Sequence, residues 1–502
     1  MSDTALAGPP AETHTVMGAL RRPAVLRREV VAGLVVALAL IPEAISFSII
    51  AGVDPRVGLF ASFTMAVSIA FLGGRPAMIS AATGAIALVI APVMRDYGLD
   101  YLVATVILGG LIQVAMALLG VARLMRFVPR SVMVGFVNAL AILIFTAQLP
   151  YLVDVPFLVY PMVAVGIVVM VGLPRVSTAV PGPLVAIVLL TAVTLGAGLT
   201  LPDVGDEGEL PDSLPSLFLP DVPLTLETLQ IIAPYALAMA LVGLLESLLT
   251  AKLVDDITDT RSDKTRESWG QGAANVVTGF FGGMGGCAMI GQTMINVKAS
   301  GARTRISTFC AGLFLLVLVV GFGDVVATIP MAALVAVMVM VAVGTFDWHS
   351  ITPGTLRRMP KSETLVMLVT VAVTVTTHNL AIGVVSGVLV AMVLFARRVA
   401  HLTQTHREVV QDGGVETAVY RVTGELFFAS SNDLYTQFEY ADDPQRVVID
   451  LSGSHVWDAS TVASLDAITT KYGRRGKQVE IRGLDDHSAH RHDRLTGRLS
   501  AH

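Results

Sequence analysis

Two acidic side chains fall where the surrounding sequence offers them no water. Glu43 follows Pro42 in LIPEAISFSII, and Glu246 lies in VGLLESLLTAKL. A carboxylate in the middle of an apolar span costs at least about 2.5 kcal/mol on insertion scales, so it must be protonated, paired or turned to a wet cavity. Pro42 also removes a backbone hydrogen bond beside Glu43. Two further stretches interrupt apolar sequence with glycine: FLGGRPAMISAAT (71–83) and FFGGMGGCAMIGQTMIN (280–296). Each runs aromatic, Gly-Gly, small residues, then Ala-Met-Ile. The apolar runs that follow, near 79–93 and 288–297, fall short of the ~20 residues of a full membrane span. Short, broken segments at corresponding places in two halves point to a transporter's central site. A helix that starts inside the membrane leaves its first N–H groups unpaired and carries partial positive charge there. Two such ends facing each other can hold an anion without a basic side chain. Glu246 would take a coupling cation or proton, with Thr250 one turn on along the same face. Once neutralised it would no longer repel the anion, so the two would bind together. Phe47, one turn after Glu43, would wall the cavity.

These residues need a membrane scaffold, and the composition supplies one. The chain is 54% hydrophobic and 15% charged, with a mean hydropathy of +0.71, which describes a polytopic membrane protein. A net charge of −5 does not suit a nucleic-acid binder. The two cysteines, Cys287 and Cys310, have no metal-ligand or disulfide spacing, and no cofactor is implied. Residues 1–20 lack a basic region followed by an apolar core, so they read as a disordered cytoplasmic leader.

Apolar runs predict spans near 30–52, 56–72, 78–93, 99–122, 130–153, 157–173 and 180–200. A second set follows near 228–252, 268–284, 287–298, 304–322, 325–345, 363–379 and 380–398. Arg21, Arg22, Arg27 and Arg28 before the first span place the N-terminus in the cytoplasm. The same alternation puts Arg123/Arg126/Arg130, Arg175, 252–266, Arg303/Arg305, Arg357/Arg358/Lys361 and Arg397/Arg398 inside, while the acidic loop 201–226 has no Lys or Arg. Seven spans per half then make the second half an inverted copy of the first. The transporter domain covers 21–400, with repeats at about 28–200 and 228–400. Residues 413–485 alternate strand and helix (415–428, 433–440, 446–451, 461–472, 478–482), which predicts a small α/β module. The His- and Arg-rich stretch 486–502 reads as a flexible tail.

The stretches IPEAISFSIIAGVDPRVGLFASF, FLGGRPAMISAATGA, LVGLLESLLTAKLVDDITDT, QGAANVVTGFFGGMGGCAMIGQT and VVIDLSGSHVWDAST together resemble the sulfate permease (SulP) family of anion transporters over about residues 20–480. The resemblance implies an all-α, 14-span 7+7 inverted repeat like that of uracil permease. Spans 1–4 and 8–11 would form a core and spans 5–7 and 12–14 a gate, and the core would move like an elevator. Substrate would sit at Ser80, Ala81, Ala82 and Thr83 and at Ala288, Met289 and Ile290, beside Glu43 and Phe47. The α/β module resembles a cytoplasmic STAS domain, in which Ser460 holds the position phosphorylated in related anti-sigma-factor antagonists. The resemblance also implies a homodimer in the bacterial inner membrane with both termini cytoplasmic. The nearest branch contains sodium-dependent bicarbonate transporters, but this chain has Cys287-Ala288-Met289 where they place a small hydroxyl residue, and Glu246 where they carry aspartate. The coupling ion is therefore H+ or Na+.

The sequence thus predicts symport of a small oxyanion or carboxylate: bicarbonate, sulfate or a dicarboxylate such as fumarate. An uncoupled exchanger or channel of the same fold is the alternative; buried glutamates argue against pure conductance. A nucleobase permease would need more base-reading side chains than the Ala/Ser/Met lining offers. No catalytic triad, metal site or phosphate loop points to an enzyme.

Overall fold

The computed structural model describes residues 15–498, apart from 122, 124–127, 177–180 and 401–402. The chain forms two compact units that meet between Val388 and Leu389. The first is helical: α1 Pro23–Ala51, α2 Pro55–Leu72, α3 Gly84–Tyr97, α4 Leu99–Leu118, α5 Arg130–Thr146, α6 Val159–Val176 and α7 Gly182–Gly196, then α8 Leu226–Thr258, α9 Lys264–Phe280, α10 Ile290–Met294, α11 Arg305–Gly321, α12 Met331–Thr345, α13 Lys361–Thr377 and α14 Leu380–Ala400. The one-turn pieces between them carry no label. α10 continues as a π-turn, Ile295–Ala299, and α14 runs across the boundary into the second unit. Among the described residues, six helices are long and apolar enough to cross a bilayer unaided.

Helix ends follow the sequence chemistry. Pro23 opens α1 and Gly52, in the left-handed conformation, closes it. Thr83, Thr225, Asp263 and Thr304 cap α3, α8, α9 and α11 with their side chains. Several boundaries differ from the expectation, among them those of α1, which starts at Pro23 and not near 30, and of α3 and α8. α3 starts at Gly84 rather than near 79, because 80–81 form a strand. α8 runs on to Thr258, and its stop is Asp259 in the left-handed region.

Packing sorts the helices. α1–α4 pack among themselves and with α8, α9 and α11; α5–α7 pack with α12, and α5 also with α13. α1 meets α7 and α12, and α3 meets α5. Inside the first group the two Gly-broken stretches meet as a short antiparallel pair, β1 (Ser80–Ala81) with β2 (Cys287–Ala288), in the register Ser80–Ala288 and Ala81–Cys287.

A polar network holds that pair from behind. Glu267, fully buried, accepts the amides of Gly74 and Arg75 at 2.8 and 3.0 Å. The Arg75 guanidinium reaches Asp255 at 3.0 Å, Thr258 at 2.6 Å and Thr260 at 2.7 Å, and Lys264 closes on Asp255 at 2.6 Å. Arg305 donates to Gly73 O at 2.6 Å. Gly74 is required here: a Cβ on it would lie 2.0 Å from the Asp263 carbonyl oxygen.

The second unit carries a four-stranded sheet in the order β3-β4-β5-β6, with β3 Gln404–Asp412, β4 Val415–Leu426, β5 Arg446–Val456 and β6 Gln478–Arg482. β3 is antiparallel to β4; β4, β5 and β6 are parallel. α15 Phe428–Leu434, α16 Ala459–Gly473 and α17 Asp486–Leu495 accompany it. Tyr420, Ile449, Val462 and Ile468 are fully buried in its core.

Three expectations change here. The module begins with β3, not at 413: QTHREVVQD is too polar to read as a strand, yet it pairs with β4 along its length across the Gly413-Gly414 turn. The helix expected at 433–440 lies at 428–434 and ends in a short 3-10 turn. The stretch 486–495 is helical rather than loose, because Asp485 caps it and Ser488 Oγ accepts the Val456 amide at 2.9 Å. At the other end, Val16–Leu20 forms one helical turn capped by Thr15; the rest of the expected leader, 1–14, lies outside the described residues, as do Arg126 and the end of the tail.

Candidate functional site

Next to the β1–β2 pair lies a cavity of about 350 Å³, within the usual size of small-ligand pockets. Glu43 and Phe47 of α1 and Glu246 of α8 line it. Thr83, Gly84 and Ala85 form the start of α3 in its wall, and Met289, Ile290, Gly291 and Gln292 the start of α10. The opposite wall is Phe136, Val137, Leu140 and Ile144 of α5 with Val341, Gly344 and Thr345 of α12. The two broken helices thus begin at one cavity, where their first amides are the groups a helix leaves unpaired.

The polar atoms around the pair are tightly assigned. Met289 N donates to Ile79 O at 2.9 Å, and Ile79 N to Thr293 Oγ1 at 3.0 Å. Ala288 N donates to Ser247 Oγ at 3.1 Å, and Ala82 N to Ser62 Oγ at 3.2 Å. Asn275 clamps Gly286 from both sides: its Oδ1 accepts the amide at 2.8 Å and its Nδ2 donates to the carbonyl at 3.0 Å. Gly286 must lack a side chain, since a Cβ would sit 2.0 Å from Ala81 O.

Of the residues singled out from the sequence, Glu43, Phe47, Thr83, Met289, Ile290 and Glu246 line the cavity. Ser80, Ala81, Ala82 and Ala288 do not; Ser80, Ala81 and Ala288 belong to the strand pair behind it, where Gln271 Nε2 donates to Ser80 Oγ at 2.6 Å, and Ala82 follows β1. Thr250 is also away from the cavity lining. Its hydroxyl donates to the backbone carbonyl of Glu246 at 2.8 Å and lies 3.5 Å from Ala288 O. Ser460, in the second unit, is an exposed residue of the first turn of α16, next to the Asp458 cap.

The sequence reading missed Cys287. Its thiol donates to Glu246 Oε2 at 3.0 Å, and its sulfur is 3.2 Å from Thr83 Oγ1. Gln292, read as an interhelical polar group, lines the cavity together with Glu43. The second broken stretch thus gives Glu246 a bonded partner and places a polar neighbour in the cavity with Glu43. That signal was present only as Cys and Gln flanking Ala-Met-Ile-Gly. The Glu246 carboxylate faces a thiol, while the nearby hydroxyl of Thr250 is engaged with backbone carbonyls.

Apolar helices around a carboxylate-lined cavity, closed by two helix starts, define a membrane transport protein. Comparisons with known proteins agree. The sulfate permease family matches residues 26–171 and 155–370, and the STAS domain matches 406–496. The chain is 54% identical to YbaR of Bacillus subtilis, over 92% of this chain and 95% of that protein. It is 25% identical to the bicarbonate transporter BicA of Picosynechococcus, over 94% of this chain and 91% of that one. The solved transmembrane domain of a cyanobacterial BicA superposes with a TM-score of 0.64 at 27% identity, covering 71% of this chain and 97% of that one. Murine solute carrier 26 member A9 shares the fold, with a TM-score of 0.80 at 16% identity over 98% of this chain and 92% of that one. The chain belongs to the sulfate permease family: it is a multi-pass membrane transporter with a C-terminal STAS domain, and not an enzyme.

Proposed function

We propose that the chain is a secondary-active anion transporter that carries a small oxyanion or carboxylate together with a proton. The observation that carries this reading is the convergence of the α3 and α10 starts on one cavity that also holds Glu43 and Glu246. Amide ends recognise negative charge and not a particular anion. Sulfate and bicarbonate are favoured by the names of YbaR, called a sulfate transporter, and BicA; fumarate is the dicarboxylate to test beside them. An ionised Glu246 repels the anion, and a protonated one does not, so each stabilises the other's binding.

The fourteen helices read as a 7+7 inverted repeat, with α1–α4 and α8–α11 as a core and α5–α7 and α12–α14 as a gate. The packing groups support that division, and the cavity at their boundary supports an elevator movement of one against the other. The reading includes a homodimer in the bacterial inner membrane with both termini in the cytoplasm.

Uptake of labelled sulfate, bicarbonate and fumarate into proteoliposomes, with pH and sodium gradients imposed separately, tests the proposal. A pH gradient should drive accumulation of at least one anion, and Glu246→Gln should abolish accumulation while leaving downhill flux. Accumulation that survives in Glu246→Gln removes Glu246 as the coupling site. Steady anion currents without any gradient dependence would favour the uncoupled channel instead.

A further inference from the structure

Cys287 stands between the coupling carboxylate and the cap of the first broken helix. Its sulfur is 3.0 Å from Glu246 Oε2 and 3.2 Å from Thr83 Oγ1, and all three residues are buried. A thiol has one hydrogen. While Glu246 is ionised its oxygens can only accept, so the thiol hydrogen goes to Oε2 and the sulfur accepts from the Thr83 hydroxyl. Thr83 Oγ1 also accepts the Ile86 amide at 3.3 Å, so its single donor is committed to sulfur. A proton on Oε2 reverses the chain. Oε2–H then donates to sulfur, the thiol hydrogen turns to Thr83 Oγ1, and the Thr83 O–H is released. Thr83 is part of the cavity wall, so the freed hydrogen can point at a bound anion.

We propose that Cys287 is a positioning residue that passes the protonation of Glu246 to Thr83, so that the anion gains a hydrogen-bond donor only when the proton is aboard. This deepens the symport reading above and rests on it. The only atom gained is the proton that arrives on Oε2; the thiol and hydroxyl hydrogens change partners without leaving their atoms. The groups facing Glu246 are few. Glu43 on α1 is the other carboxylate of the cavity lining; α3, α5, α10 and α12 place no charged side chain there among the described residues. On α9, Glu267 is turned to Gly74, Arg75 and Gln271.

The test is the KM of labelled sulfate uptake into proteoliposomes as a function of external pH, with labelled bicarbonate as the second probe. A hydrogen bond to a charged group is worth about 1.5–3 kcal/mol, so the wild-type KM should fall by at least about tenfold as Glu246 becomes protonated. In Cys287→Ala no sulfur holds the Thr83 hydroxyl, so that donor is free at every pH: the KM at alkaline pH should drop toward the wild type's acidic value, only the dependence due to the Glu246 charge itself should remain, and maximal rate should be much less affected. Cys287→Ser keeps one hydrogen and one acceptor and should restore the pH dependence. If Cys287→Ala does not fold, Thr83→Ala, which has no hydroxyl to release, should lose the same relay-dependent fall with its KM held near the alkaline value. A Cys287→Ala protein with the wild-type pH profile, or a Cys287→Ser protein without one, overturns the relay while leaving proton symport intact. Wild-type protein that accumulates neither anion under a pH gradient removes the symport reading, and the relay with it.

Discussion

Gly286→Ala is the sharpest test of the strand pair that brings the two helix starts together. An added Cβ would lie 2.0 Å from the Ala81 carbonyl oxygen and 2.6 Å from its carbon. Both are backbone atoms, so no side-chain rotation relieves the contact, and β2 must move off β1 by about 1 Å to reach tolerable packing. Overpacking of this kind costs about 1–3 kcal/mol. The shift also strains Met289 N to Ile79 O and the two bonds from Asn275 to Gly286, and losing one of them adds about 1 kcal/mol. A total of about 2–4 kcal/mol follows, of which any part that falls on the bound state alone appears as up to about a thousandfold in affinity. Thermal unfolding in detergent and anion uptake would be measured side by side. Gly291→Ala is the control, because a Cβ there meets nothing within 4 Å; it should melt as wild type does. A Gly286→Ala protein with wild-type melting and wild-type KM would refute the idea that this close approach holds the site.

Two further predictions concern the STAS domain. Asp443 is buried and accepts Arg407 Nε at 2.8 Å, Tyr420 OH at 2.7 Å and Tyr472 OH; burial, followed by the bond to Asp443, pushes both phenol pKa values up. Asp443→Ala strands a cation and two hydroxyls and should destabilise the domain by about 3–5 kcal/mol, read as faster pulse proteolysis of the full chain. The Asp485 carboxyl is held below its ordinary value of 3.8, first by the Ser488 hydroxyl and then by the Ser488 amide. A depressed carboxylate stabilises the fold above that ordinary value and ceases to as pH falls through its native one. Protection of the α17 amides, followed by hydrogen exchange, should therefore be flat from neutral to mildly acidic pH and fall in strong acid. In Asp485→Asn it should already be lower at neutral pH.

What could be read from the chain beforehand was whatever backbone geometry forces on local sequence. The Gly-Gly pairs marked the broken stretches because helix breaks and close backbone approaches need residues without a Cβ, and Glu43 and Glu246 were conspicuous because charge is rare in apolar spans. The helix starts were misplaced for the same local reason: Ile79 and Ser80 look helical, and only pairing with Ala288, far along the chain, makes them strand. The repeated Ala-Met-Ile also suggested a register that the helix starts do not follow, since Thr83 and Met289 are the residues that immediately precede α3 and α10. Cys287 was invisible as the partner of Glu246 for a more general reason. Repetition exposes what both halves need in common, which is backbone. The contacts that could make an anion and a proton depend on each other run between the halves, joining side chains of different type, as Cys287 joins Thr83. Coupling is an asymmetric property laid over a similar pair of backbones, so its residues are found by distance and not by self-comparison.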